Sequence, residues 1–79
     1  MDELIGFVTG NNNRQKLLTL LGSKGELDAA RIAKTMHLVR FTVDGILKEL
    51  LEKELVERTG ELYKLTELGS AVERQVHNM

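Results

Sequence analysis

Residues 29–58 read AARIAKTMHLVRFTVDGILKELLEKELVER. Two helical patterns lie within this stretch, only a few residues apart. Ile32, Ala33 and Met36 follow one helix face, and Val43, Ile46, Leu47, Leu50 and Leu51 repeat the period on a second helix over about 40–53. A turn at His37–Val39 joins them. Helices that close must cross steeply, and Ala33 is small enough for near approach at the crossing. The spacing is that of a helix-turn-helix, which presents the second helix as a rod sized for a DNA major groove.

Working outward, Leu55–Arg58 and Glu61–Leu65 read as strands joined by a turn at Thr59-Gly60. Tyr63 and Leu65 share one face of the return strand, with Leu62 and Lys64 on the other. Thr66 caps a last helix, Glu67–His77, with an apolar stripe of Leu68, Ala71, Val72 and Val76. On the other side, Asp28 caps the helix Ala29–Met36, and Gly25–Leu27 suits a short edge strand. Leu17, Leu18, Leu20 and Leu21 face inward from a helix Asn13–Leu21, which Gly22 is expected to end. Asn12 and Gln15 resemble a capping box at its start. A first short helix, Asp2–Val8, is capped by Asp2. The fold class is therefore mainly α with a small β-hairpin: a three-helix core, an antiparallel sheet of two or three strands, and extra terminal helices. One domain is expected over 1–79, with 1–10 as an N-terminal extension and 66–79 as a C-terminal helix.

Composition bounds the function. The 79 residues contain no Cys, which excludes disulfides and thiolate metal sites. No apolar run approaches the roughly 20 residues that span a bilayer, so no membrane partner and a cytoplasmic location are expected. Net charge is −1, low for a nucleic-acid binder, but its distribution is uneven. Residues 10–48 carry seven Lys/Arg against Glu26, Asp28 and Asp44, a net of +4, whereas residues 49–79 total −3. The positive field falls on the helix pair.

These residues resemble the winged-helix regulators of the MarR and ArsR type, in a small bacterial or archaeal single-domain form. The markers are Ile32-Ala33 before the turn, Leu38 after it, Thr42-Val43 opening the second helix, the run Leu47–Arg58, and Tyr63–Gly69 as wing return and closing helix. The chain departs from that pattern at three positions. His37 and Glu54 stand where Gly commonly takes a left-handed conformation. Gly45 stands inside the second helix, where Gly costs about 1 kcal/mol relative to Ala.

The resemblance implies sequence-specific binding of double-stranded DNA by a transcription regulator. Base-reading residues would lie on the exposed face of helix 40–53: Arg40, Phe41, Thr42, Asp44, Gly45 and Lys48. Arg40 is suited to a guanine edge, Lys48 to a phosphate and Phe41 to a thymine methyl. Asp44 would accept from cytosine or pair with Lys48 one turn on, and Gly45 would let the backbone come close. The wing over about 55–65 offers Arg58 and Lys64, and the polar face of the preceding helix offers Arg31 and Lys34. Asn13 and Arg14 at another helix start would also suit phosphate. Leu4, Ile5, Phe7 and Val8, with Leu68, Val72 and Val76, either complete the monomer core or form a homodimer seam between terminal helices, the seam being the arrangement the resemblance implies. The alternative is a winged helix used only for protein–protein contact in a larger assembly, which the acidic second half favours. His37 and His77 are too far apart for a metal site. Gly6, Gly10, Gly22 and Gly25 are too scattered for a phosphate loop, and no nucleophile–base–acid set exists. Neither cofactor, metal nor catalysis is expected.

Overall fold

The computed structural model describes residues 1–78. Its order is α1 (Asp2–Thr9), α2 (Asn12–Lys24), β1 (Glu26–Asp28), α3 (Ala29–Met36), α4 (Arg40–Glu52), β2 (Val56–Thr59), β3 (Leu62–Leu65) and α5 (Glu67–His77). The strands form one antiparallel sheet in the order β1-β3-β2, so the edge strand expected over Gly25–Leu27 is present, one residue later. This is a winged helix.

The core follows from the helical periods. Leu17, Leu18 and Leu21 of α2, Ile32 of α3, and Val43, Leu47 and Leu50 of α4 are almost fully buried. They meet Leu55, Val56 and Tyr63 from the wing side and Val72 and Val76 from α5. Burying a side chain of this size is worth about 1.5–3 kcal/mol, so this cluster decides the fold.

The turn between α3 and α4 is built as read. Asp28 Oδ1 accepts from the Arg31 amide at 2.7 Å. His37 closes α3 in the left-handed region, φ 57°, ψ 42°, and the Leu38 amide donates back to the Ala33 carbonyl at 3.0 Å. Glu54 also takes a positive φ, 60°. Both residues do what Gly does in related turns, at the steric cost a Cβ brings.

Four local boundaries differ from the sequence reading. Met1, not Asp2, occupies the first N-cap, without a side-chain bond. Asn11, not Asn12, caps α2, its Oδ1 accepting from the Arg14 amide at 3.0 Å; three successive asparagines made the choice ambiguous. Gly22 does not end α2. The helix runs on to Lys24, and Gly25, at φ 88°, makes the exit. A Cβ at Gly22 would meet only the Glu73 side chain on α5, at 3.0 Å. Finally, Thr59 pairs with Leu62, so the hairpin turn is Gly60-Glu61, with the positive φ at its first position as in type II′ hairpins.

Candidate nucleic-acid interface

Burial of Val43, Ile46, Leu47 and Leu50 fixes how α4 is rolled about its axis. At 3.6 residues per turn, Phe41, Gly45 and Lys48 must then point to solvent, and all three are exposed. Phe41 is 88% exposed and Val39, at the N-cap, 68%. No atom lies within 4 Å of the place a Gly45 Cβ would take, so the backbone is open on that side. Thr42 does not join this face. It is half-buried on the helix flank.

Arg40 and Asp44 lie beside the exposed pole. Arg40 Nε donates to Asp44 Oδ1 at 3.1 Å. Lys48, one of the partners the sequence left open to Asp44, is not the one it takes. An exposed pair at this spacing contributes only about 0.3–0.5 kcal/mol, so it holds a side-chain geometry more than it holds the fold.

The wing adds a second arginine tied in the same way. Arg58 Nε donates to the Gly60 carbonyl at 2.7 Å, and the guanidinium stands 5.6 Å from the Tyr63 ring centroid. A cleft between α4 and the wing is lined by Arg40, Asp44, Leu47, Lys48, Leu51, Arg58 and Tyr63. A neighbouring cleft runs from Arg40 and Arg58 to Asp28, Ala29 and Ala30 at the start of α3. The fold thus gathers Arg40, Lys48 and Arg58, three of the cations singled out from sequence. Asp28, Asp44 and Glu61 beside them temper the field.

The remaining candidates stand apart. Lys64 lies on the outer face of β3 and pairs with Glu57 on β2 at 3.5 Å. Arg31 and Lys34 are exposed on α3 but line neither cleft. Arg14 is no phosphate ligand. Its side chain is only 16% exposed and binds Glu49 of α4 at 3.1 Å. It also donates to the Phe7 carbonyl and stacks 4.0 Å from the Phe7 ring centroid, with Lys53 Nζ 5.4 Å from the same ring. Arg14 therefore ties α1 and α2 to α4. Nothing periodic marks that contact, which joins residues seven and thirty-five positions apart.

The apolar seam is also revised. Val8 and Val72 are fully buried and Val76 nearly so, all in the protomer core, with Leu4, Ile5 and Phe7 packed against it. Leu68 alone of that set stays largely open, at 38%. The terminal helices complete the core because α5 packs on both α1 and α2.

Among the described residues no group of three or more His, Cys, Asp or Glu could hold a metal ion, and no helix is long and apolar enough to cross a membrane.

A family model described as the HVO_A0261 N-terminal domain matches residues 2–79. The fold is similar to solved winged-helix regulators. The reduced form of MarR from E. coli is 25% identical with a TM-score of 0.85, over 96% of this chain and 57% of that one. Rv1404 from Mycobacterium tuberculosis is 25% identical with a TM-score of 0.83, over 94% and 56%. The apo form of a ZitR mutant from Lactococcus lactis is 25% identical with a TM-score of 0.76, over 98% and 67%. The chain spans little more than half the length of the first two. No curated protein matches it in sequence.

Proposed function

We propose that this chain, which belongs to the HVO_A0261 N-terminal domain family, binds double-stranded DNA sequence-specifically as a cytoplasmic transcription regulator. The whole of residues 1–79 acts as the binding unit. The observation that carries this reading is the convergence of Arg40, Lys48 and Arg58 on the cleft between the outward face of α4 and the wing. α4 enters the major groove, where Arg40 and Phe41 meet base edges and Gly45 allows close approach. Lys48 and Arg58 take phosphates, with Arg31, Lys34 and Lys64 as outlying contacts. Thr42 and Asp44 orient the head of the helix rather than adding charge.

A homodimer through the terminal helices supports the same reading. Two copies of α4 about 34 Å apart would match one DNA turn and a palindromic site. Pairing also doubles the phosphate contacts, each worth about 0.9 in the salt slope, which matters where the protomer offers so few cations. With Val72 and Val76 committed to the core, the pairing surface is left to Leu68 and the outer faces of α1 and α5.

The test is retention of mixed genomic duplex fragments across a salt titration, beside light scattering at micromolar concentration. Arg40→Ala with Lys48→Ala should abolish retention in a protein that stays folded. Unchanged retention by the folded double variant refutes the assignment. It would favour a protein-docking winged helix, to which the exposed Val39 and Phe41 would then belong.

A further inference from the structure

The Arg40–Asp44 contact carries an inference that rests on the DNA reading and refines it. A guanidinium has two edges that donate hydrogen bonds in pairs: a side edge that includes Nε, and the outer edge formed by Nη1 and Nη2. Here Asp44 Oδ1 takes Nε at 3.1 Å. The side edge is engaged, and the outer edge is left to meet whatever α4 is laid against. Guanine presents O6 and N7 side by side in the major groove, an arrangement two parallel N–H donors match. Phosphate accepts from either edge and at many angles, so it gains nothing from this restriction.

The neighbourhood gives the carboxylate a second effect. Arg40 and Asp44 line one cleft with Lys48 and Arg58. A negative charge there lowers the attraction of that cleft for any passing phosphate backbone. It does not weaken a guanine contact to the same degree, because guanine carries no net charge. The two residues lie one turn apart on a regular helix, so the bond needs no rearrangement of the backbone.

We propose that Asp44 is a positioning residue that turns Arg40 from a phosphate-binding cation into a reader of guanine. It acts through Arg40 and sets the balance between specific and non-specific binding. Removing it should make the protein bind more DNA with less choice.

The experiment selects bound sequences from a random duplex library with the wild-type protein. The selected pool is then copied with either guanine or 7-deazaguanine, which lacks only the N7 acceptor. Wild-type protein should bind the deaza pool on the order of tenfold more weakly, the loss expected for one broken bidentate contact. Asp44→Ala should bind both pools alike, and should bind unselected DNA more tightly with a salt slope steeper by about 0.9. Asp44→Asn removes the charge but keeps an acceptor, so it should retain the sensitivity to 7-deazaguanine while gaining non-specific affinity. A selected site without guanine, or equal binding of both pools by the wild type, overturns the proposal. So does an Asp44→Ala protein that still discriminates the pools, or an Asp44→Asn protein that does not. Failure of the wild type to retain any duplex would instead sink the DNA reading itself.

Discussion

Replacing Gly69 with Ala should destabilise the protein more than any other single methyl addition at its glycines. Gly69 sits in the first turn of α5, where a Cβ would lie 1.8 Å from the Leu55 carbonyl oxygen and 2.8 Å from its carbon. Backbone at both ends leaves no flexible group to yield, so α5 must retreat by roughly 1 Å, a shift a close-packed interior resists. That shift weakens the Thr66 amide bond to Leu55 at 3.1 Å and the Thr66 hydroxyl bond to the Glu54 carbonyl at 2.7 Å, and it disturbs Val72. Overpacking costs about 1–3 kcal/mol and two weakened hydrogen bonds add about 1 kcal/mol each. The better helix propensity of Ala returns at most about 1 kcal/mol. A net loss of about 2–4 kcal/mol is a large share of what a domain this size holds, at about 0.05–0.15 kcal/mol per residue. With a urea slope of about 1 kcal/mol/M, the unfolding midpoint should fall by roughly 2–4 M. Gly22→Ala is the control, because its new Cβ meets only the far end of the Glu73 side chain, at 3.0 Å; its midpoint should hold or rise. An unchanged midpoint for Gly69→Ala, or an equal loss for Gly22→Ala, would refute the steric argument.

Gly45→Ala adds a methyl in open space, so thermal or urea unfolding should show a gain of about 0.5–1 kcal/mol while DNA retention weakens; a stabilised variant with full retention would remove Gly45 from the interface. Glu54→Gly should stabilise by about 1 kcal/mol, since Glu54 holds φ 60°, and a loss in the same assay would show that the Glu side chain contributes something the backbone does not explain. Arg14→Ala should cost about 1–3 kcal/mol by breaking the charged bond to Glu49 and the stacking on Phe7. Arg14→Lys should recover little of it, because only a planar guanidinium serves both contacts; full recovery by Lys would mean that charge alone matters.

The fold was legible because its decisive features are local and periodic. The buried faces of α3 and α4 are set by residues three and four apart, and Asp28 and Thr66 announce the helix starts they do cap. The left-handed turns at His37 and Glu54 were visible only as departures from a family pattern, since neither residue type demands that conformation. Boundaries failed where local signals competed. Gly22 and Gly25 both qualify as helix stops; the chain passes through the first in helical form and exits at the second, where φ is 88°. Val72 and Val76 read equally well as seam or core from their spacing. Only the docking of α5 against α1 and α2 commits them to the core.

The candidate site shows the same division more sharply. Which residues face outward on α4 was legible, because burial of the opposite face dictates it. Which partner each charge takes was not. Asp44 lies four residues from both Arg40 and Lys48, and the spacing permits either pairing. The wing places Arg58, from a distant strand, in the cleft that Arg40, Asp44 and Lys48 line. Lys48, nearer the exposed pole, is left with its ammonium in water, where a lysine loses least by remaining unpaired. The sequence allowed Asp44 a cytosine or Lys48 as partner, and in the structure it takes Arg40. The pairing engages Arg40 Nε, which on the DNA reading proposed above leaves the outer edge of the guanidinium for a base.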